Sequence, residues 1–277
     1  MKIEAFNTYW VFNGTLEAIP DEMRGVSVEN PVVYEVIRVK DGVPVFLKAH
    51  LDRLKNSMEL MLKNKPLPSW LNTLEDHFHR LVQAEEIINQ NIKMIVWNIG
   101  HPACSWCMFP IESHYPDPQV YRDGVVTELL KSERATPTAK IYHDTLSETV
   151  QALRKETGVF EVLLVDRKGC LTEGSRSNLF LVKGERVYSA PEDDILHGIT
   201  REKLKRVLED ENIPYTCAQI KEDDLSSFDA AFLTGTSIHV LPIRMIGSLK
   251  LNSGDNQLVK AIMKAFERSI EKDVENV

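Results

Sequence analysis

Two residues in the second half of the chain have side chains suited to covalent and acid–base chemistry. Lys140 lies in the stretch "ATPTAKIYHD", between the apolar residues Ala139 and Ile141. Burial lowers the pKa of a lysine amine, and the neutral amine is a nucleophile. Glu173 ends the run "GCLTE" and is followed by "GSRSN" and then by the apolar "LFLV". This direct return to a strand-like run leaves open whether Glu173 faces solvent or a partner inside the protein.

Two further segments offer backbone donors for an anion. The stretch "DILHGITREKLKRVL" predicts a turn at Gly198 and then a helix, so that Ile199 and Thr200 present N–H groups at a helix N-terminus. The stretch "AAFLTGTSIHVLPI" is a strand that breaks at residues 234–237, a cluster of hydroxyls and amides. Each segment alone has an ordinary structural explanation. Together, two candidate phosphate-binding segments, a lysine and a buried glutamate suit one ligand, pyridoxal 5′-phosphate (PLP).

The composition is that of an ordinary globular protein, with 277 residues, 43% hydrophobic and 27% charged. The net charge of −8 argues against a nucleic-acid or anionic-membrane partner, because both need a basic surface. No apolar run approaches the roughly 20 residues that span a bilayer. The start, "MKIEAFNTYW", lacks the apolar core of a signal peptide. We therefore expect a cytoplasmic protein.

The four cysteines do not predict a metal site or a disulfide framework. Cys104 and Cys107 fit a C-x-x-C pattern, but a structural zinc site needs four ligands and no second such pair exists. We expect free thiols and no bound metal.

The positions of strands, helices and prolines predict an α/β fold in two domains. Strands are expected at 32–39, 43–47 and 92–99, and a helix over "HLDRLKNSMELML", whose apolar positions recur at helical spacing. Residues 145–148, Thr-Leu-Ser-Glu, fit a capping box at the start of a later helix. The proline-rich "PIESHYPDP" predicts a linker. We predict an N-terminal α/β domain at 1–112, a linker at 113–121 and a cofactor-binding domain at 122–277.

Several motifs, in this order, resemble the class IV PLP-dependent aminotransferases. They are "YEVIRVKDGVPVFLKAHLDRL" (34–54), Lys140, "EGSRSNLF" (173–180), "ILHGITR" (195–201) and "FLTGTS" (232–237). This family includes branched-chain and D-amino-acid aminotransferases and aminodeoxychorismate lyases. The resemblance implies a smaller N-terminal and a larger C-terminal domain with the cofactor between them.

The resemblance also implies roles for individual residues. Lys140 would form the Schiff base and move a proton at the substrate Cα, and Glu173 would hold the pyridinium nitrogen. This role answers the question about Glu173, since its carboxylate would be aimed inward. The remaining cofactor-binding residues would be Arg53, Ser177, Asn178, Ile199, Thr200, Thr236 and Ser237, and the substrate-facing residues Tyr34, Thr236 and Ser237.

The chain departs from the family pattern in three places. The usual Gly-Asp-Gly before the aromatic strand is replaced by residues 29–33, Glu-Asn-Pro-Val-Val. The strand near 92–100 lacks the arginine with which D-amino-acid members grip the substrate carboxylate, and Lys93 lies several residues earlier. His239 stands where an acidic residue is common.

Three functions remain open at this point. The first is a transaminase acting on an amino acid and a 2-oxo acid, with branched-chain or other hydrophobic L-amino acids favoured. The second is a PLP lyase acting on an aminodeoxychorismate-like substrate, which the segment "YEVIR" disfavours because it lacks the lyases' threonine. The third is a PLP-binding relative with altered catalysis.

The resemblance predicts a homodimer, because family members complete the substrate pocket with a loop from a second subunit. The segment "GHPACSWCMFPI" (100–111) contains Trp106, Met108 and Phe109, residue types that are enriched in interface cores. We expect this segment near the interface or the active-site rim. The alternative is an interdomain hydrophobic contact.

Overall fold

The computed structural model describes residues 1–29 and 31–275. Among these residues the strands are β1 (Tyr9–Phe12), β2 (Thr15–Ala18), β3 (Val32–Lys40), β4 (Val43–Pro44), β5 (Gln90–Trp97), β6 (Ser105–Ile111), β7 (Val125–Lys131), β8 (Ile141–Tyr142), β9 (Glu161–Val165), β10 (Cys170–Gly174), β11 (Asn178–Lys183), β12 (Arg186–Ser189), β13 (Tyr215–Cys217), β14 (Ile220–Lys221), β15 (Ala230–Gly235), β16 (His239–Ile246) and β17 (Leu249–Lys250). The helices are α1 (Leu47–Leu62), α2 (Leu74–Ala84), α3 (Pro118–Asp123), α4 (Asp144–Thr157), α5 (Ile199–Asp210) and α6 (Gln257–Glu275).

The first of two compact units contains Met1–His114, Ala139–Asp144 and a short segment that begins at Asp273. Its antiparallel sheet has the order β2-β1-β6-β5-β3-β4, and β8 pairs with β3. Side chains alternate between the two faces of a strand, so β3 sends Glu35 to the face that α1 covers and Tyr34 to the opposite face. The residues around Glu35 and the residues around Tyr34 therefore lie on opposite faces of this sheet.

The transition from β4 to α1 differs from the expectation. The sequence predicts a strand over 43–47, but β4 ends at Pro44 and α1 begins at Leu47. The cause is Phe46, whose left-handed backbone (φ 56°) ends the strand and turns the chain into the helix. The helix then buries Leu54 and Met58 completely, as its apolar spacing predicts.

The second unit contains Tyr115–Thr138 and Thr145–Lys272. Its mixed sheet has the order β13-β12-β11-β15-β16-β7-β9-β10-β14, with β17 added to β16. β9 and β10 are joined by a turn at 166–169, and the expected break after β15 separates it from β16. α4 begins at Asp144, so Thr145 lies inside its first turn and is not the residue that precedes the helix.

We propose domains at 1–112 and 122–277 that are joined by a linker at 113–121. No helix in the described ranges combines the length and the apolar character that crossing a membrane requires.

Candidate active site

A buried carboxylate in the first unit holds two basic side chains of α1. Glu35 is completely buried, and its carboxylate accepts hydrogen bonds from Arg53 Nε at 2.7 Å and Arg53 Nη2 at 2.6 Å. His50 Nδ1 lies 2.8 Å from Glu35 Oε2. Residues three apart on a helix share a face, so His50 and Arg53 reach the same carboxylate.

The charges of this group follow from burial and pairing. Burial would raise the pKa of Glu35, but the charge and hydrogen bonds of Arg53, together with the hydrogen bond from His50, outweigh it and lower the pKa from 4.5 to about 2. Burial lowers the pKa of His50 below 6.5, although Glu35 opposes this shift. At neutral pH the group is therefore a carboxylate paired with a guanidinium beside a neutral imidazole.

This arrangement bears on Arg53, which the sequence predicts as a phosphate ligand. Two of its nitrogens are already bonded to Glu35, in the side-by-side geometry that fits a planar guanidinium. Glu35 therefore fixes the orientation of Arg53. The roles of Glu35 and His50 were missed by the sequence analysis, although the His-x-x-Arg spacing on α1 was a usable signal.

Lys140 lies beside Tyr34 at the edge of the same sheet. The Tyr34 N–H donates to the Lys140 carbonyl at 3.2 Å, and the Lys140 N–H donates to Ser57 Oγ at 3.1 Å. Lys140 Nζ lies 4.7 Å from the centroid of the Tyr34 ring, within the range of a cation–π contact. Lys140 also lowers the pKa of His50 through its charge. The first unit thus brings Lys140 and Tyr34 together, with the Arg53 group nearby.

Glu173 points inward in the second unit, where it is 2% exposed. Arg134 Nε donates to its Oε1 at 2.8 Å. Its Oε2 accepts from Asn178 Nδ2 at 3.3 Å and from the Leu196 N–H at 3.2 Å. These donors fix the orientation of the carboxylate. Arg134 was missed by the sequence analysis, because nothing local to "KSERATPTAK" marks it as a partner of Glu173.

A second buried carboxylate, Glu161, organises the turn that follows Glu173. It accepts from Ser175 Oγ at 2.6 Å, Ser177 Oγ at 2.9 Å and the Arg176 N–H at 3.2 Å. A side chain at Gly174 would place its Cβ 2.1 Å from Ser177 Oγ, so only glycine fits there. The hydroxyl of Ser177, predicted to bind cofactor, therefore serves this turn.

Asn178, by contrast, connects Glu173 to the start of α5. Its Nδ2 also donates to the Leu196 carbonyl at 2.9 Å. A Cβ on Gly198 would lie 2.0 Å from Asn178 Oδ1, so this close approach also requires glycine. Gly198 is the N-cap residue of α5. Because glycine has no side chain, the first N–H groups of the helix receive no side-chain hydrogen bond from it. The N-terminus of α5, with Ile199 and Thr200 in its first turn, is the helix start that the sequence predicts.

The turn after β15 carries the remaining predicted ligands, Thr236 and Ser237. Just before it, the Thr234 hydroxyl is 1% exposed and has no hydrogen-bond partner among the described residues. Just after it, His239 adopts a left-handed backbone (φ 50°) and its Nδ1 lies 3.3 Å from Glu267 Oε2. A buried orphan hydroxyl is costly and is typical of functional positions.

The residues of both units fit PLP in chemical type. A lysine amine, a buried carboxylate of fixed orientation, an oriented arginine and a helix N-terminus without a side-chain cap match the groups that such a cofactor carries. Lys93 does not replace the missing arginine, because its Nζ is bonded to Glu4 Oε2 at 2.7 Å.

The four cysteines are free, as expected. Burial raises the pKa of the Cys104 and Cys107 thiols, which disfavours their reactive thiolate forms. In the ranges that the structure describes, no three metal-ligating side chains come together.

We expect Glu35→Gln to destabilise the first unit by about 3 kcal/mol at pH 7, because it leaves the Arg53 guanidinium buried without its charge partner. All four tryptophans lie in this unit, so urea unfolding followed by tryptophan fluorescence reports on it. The folded-state pKa of Glu35 is below its ordinary value, so the advantage of the parent is complete above pH 4.5 and is lost as the pH falls towards 2.

The control for this experiment is Asp52→Asn, which changes an exposed carboxylate on the same helix and should alter the free energy of unfolding by less than about 0.5 kcal/mol. Equal stabilities of Glu35→Gln and Asp52→Asn at pH 7 would contradict the assignment.

Comparisons with known proteins identify the family of this chain. The model of the family Amino-transferase class IV matches residues 32–246. A D-alanine aminotransferase of Bacillus licheniformis is 27% identical over 276 residues, covering 94% of this chain and 96% of the relative. The branched-chain aminotransferase of the archaeon Thermoproteus uzoniensis, solved with norvaline, has a TM-score of 0.83 at 22% identity, covering 97% of this chain and 96% of that chain.

A protein assigned as a 4-amino-4-deoxychorismate lyase, from Legionella pneumophila, has a TM-score of 0.75 at 19% identity and covers 90% of this chain and 97% of that chain. These likenesses confirm the expected α/β fold. Because the family model spans most of the sequence, the chain belongs to the class IV aminotransferase family and is an enzyme of that family.

Proposed function

We propose that this enzyme uses PLP to transfer an amino group between an amino acid and a 2-oxo acid. The observation that carries the proposal is Lys140, whose amine lies 4.7 Å from the centroid of the Tyr34 ring in a chain of the class IV family. When bound, PLP supplies an electron sink that stabilises negative charge at the substrate Cα. Lys140 would hold the cofactor through its Nζ, and the same amine would carry the proton from the substrate Cα to the cofactor.

The other residues bind and orient. Glu173 would accept the pyridinium N–H, and Arg134, which donates to it at 2.8 Å, fixes the orientation of this carboxylate. Arg53, oriented by Glu35, binds the phosphate together with the N–H groups of Ile199 and Thr200. Thr236 and Ser237 complete the phosphate and substrate contacts, and Tyr34 faces the substrate.

We expect purified protein to be yellow and borohydride to fix the cofactor covalently to Lys140, because this lysine lies beside the proposed substrate-facing residue Tyr34. Peptide mapping by mass spectrometry identifies the labelled lysine. Lys140→Ala should abolish the label, whereas Lys131→Ala, at an exposed lysine, should leave it intact. A label on any other lysine would overturn the assignment.

We expect Glu173→Gln to retain PLP but to slow Cα proton removal about tenfold to a hundredfold, because an amide oxygen holds a positively charged N–H less strongly than a carboxylate does. Exchange of the substrate Cα proton with deuterated solvent, followed by NMR, measures this step. Glu133→Gln, in the exposed pair with Arg167, is the control and should exchange at the parent rate. If Glu173→Gln also exchanged at the parent rate, Glu173 would have a structural role only.

The proposed amino donors are hydrophobic, with branched-chain L-amino acids first. Two observations support this choice: the strand β5 offers no unpaired cation at Lys93, and one similar structure is named a branched-chain aminotransferase and was solved with norvaline. The D-alanine aminotransferase relative makes both enantiomers worth testing. One panel of amino donors against pyruvate and 2-oxoglutarate identifies the pair of substrates.

A lyase is the second candidate, favoured by the likeness to the Legionella pneumophila protein. It would release pyruvate from an aminodeoxychorismate-like substrate without any 2-oxo acid acceptor, so product analysis separates the two activities. Retention of Lys140, Glu173 and Arg53 argues against a relative with lost catalysis.

A homodimer is also proposed, on the family resemblance alone. Trp106, Met108 and Phe109 do not add to it, because the structure buries all three inside the first unit and Trp106 stacks on Trp70. Sedimentation equilibrium at micromolar concentration should give twice the chain mass. A fully active monomer would contradict the proposal.

A cytoplasmic location is proposed from the sequence only.

A further inference from the structure

Aromatic side chains collect on one face of the first unit's sheet. Phe12, Tyr34, Trp97 and Tyr142 are half-buried and pack against the same apolar cluster. We call these four residues the aromatic wall. Half-buried rings leave apolar area in contact with water, so a ligand that covers them is stabilised in proportion to the area it removes from water.

The pairing of β8 with β3 explains why Tyr142 belongs to this wall. Tyr142 pairs with Val32, and Val32 and Tyr34 lie on the same face of β3 because side chains alternate. Tyr142 is therefore the diagonal neighbour of Tyr34, within reach of an aromatic side chain. Their ring centroids are 6.4 Å apart at an angle of 83°, the edge-to-face arrangement that aromatic pairs prefer.

The same wall adjoins the reactive amine. Lys140 directly precedes β8, and Tyr142 is the last residue of that strand. Lys140 Nζ lies over the Tyr34 ring, whose edge meets Tyr142. A substrate carbon attached to the reacting amino group therefore lies close to Tyr34, and a large side chain on that carbon would extend over Tyr142.

The nearest cation along this face of β5 is already neutralised. Lys93 of β5 is paired with Val36 of β3. This pair lies two residues along the strands from the pair of Ile95 and Tyr34. The Lys93 ammonium is 2.7 Å from a carboxylate oxygen of Glu4. An acidic substrate side chain would therefore compete with Glu4 for this charge, whereas an apolar one would meet rings.

We propose that Tyr142 is a specificity-determining residue that, with Tyr34, selects amino substrates with large aromatic or aliphatic side chains over small or acidic ones. The inference rests on the proposed aminotransferase function and narrows its substrate class. Tyr142 acts by covering the substrate side chain, so it contributes to binding and leaves the proton transfer at Lys140 unchanged.

The test compares the parent holoenzyme with Tyr142→Ala and Tyr142→Phe. Steady-state kinetics with phenylalanine, alanine and glutamate give kcat and KM for a large, a small and an acidic donor. Calorimetric titration with 3-phenylpropionate and propionate gives the binding of the same side chains without any reaction. Tyr9→Ala is the matched control, because Tyr9 is 39% exposed on β1 and lies outside the aromatic wall.

We expect the parent to prefer phenylalanine to alanine and to glutamate by at least about tenfold in kcat/KM. Tyr142→Ala should raise the KM for phenylalanine and the Kd for 3-phenylpropionate about threefold to tenfold, the scale of one aromatic contact. In the same variant the KM for alanine and the Kd for propionate should change by less than about twofold. Tyr142→Phe, which keeps the ring, should retain more of the preference for the large ligands than Tyr142→Ala, and Tyr9→Ala should match the parent.

Three results would overturn the inference: a parent that prefers alanine or glutamate, a loss in Tyr142→Ala that is equal for large and small ligands, or a fall in kcat at constant KM. If Tyr142→Ala does not fold, Tyr142→Leu supplies the same comparison. A parent that binds no PLP and turns over no donor would instead refute the proposed function, while the two titrations still test the aromatic wall.

Discussion

The first unit depends on the contact between Glu35 and the guanidinium of Arg53. A carboxylate with no exposure to water is strongly disfavoured unless donors surround it, and two bonds from Arg53 and one from His50 provide them. The contact joins β3 to α1, so it fixes the strand that also pairs with the segment of Lys140. An ion pair of this kind adds little net stability compared with apolar packing, but it tolerates only one geometry. Its value here is the orientation of Arg53.

The second unit fixes its own carboxylates with a different choice of donors. Glu173 has one charged donor, Arg134, and two neutral ones. Glu161 accepts hydrogen bonds from two hydroxyls and from two backbone N–H groups, and three of these four donors lie in the turn between β10 and β11. The close approaches at Gly174 and Gly198 follow from this crowding. The break between the two strands, which looks like a surface turn in the sequence, is thus held mainly by buried hydrogen bonds.

The sequence predicts what local signals determine. Alternation located β3, helical spacing located most of α1, and a run of turn residues located the break after β15. Prediction from the sequence failed where the determining contact is distant along the chain or where one residue has an unusual backbone conformation. The left-handed Phe46 that shortens β4 has no composition signal, since glycine or asparagine is the usual residue there. Arg134 contacts a residue 39 positions away, and Glu161 contacts hydroxyls 14 and 16 positions away. Only the folded sheet reveals those pairs.

The departures from the family pattern concern substrate more than cofactor. The residues that resemblance assigns to PLP keep their chemical types, and the partners that orient them, Glu35 and Arg134, are charged side chains nearly withdrawn from water. On β5, in contrast, the arginine of the D-amino-acid members is absent, and Lys93 forms a salt bridge with Glu4. The ammonium of Lys93 already lies 2.7 Å from Glu4 Oε2. A carboxylate ligand would have to compete with Glu4 for this charge. The face around Tyr34 is therefore better suited to apolar than to anionic groups.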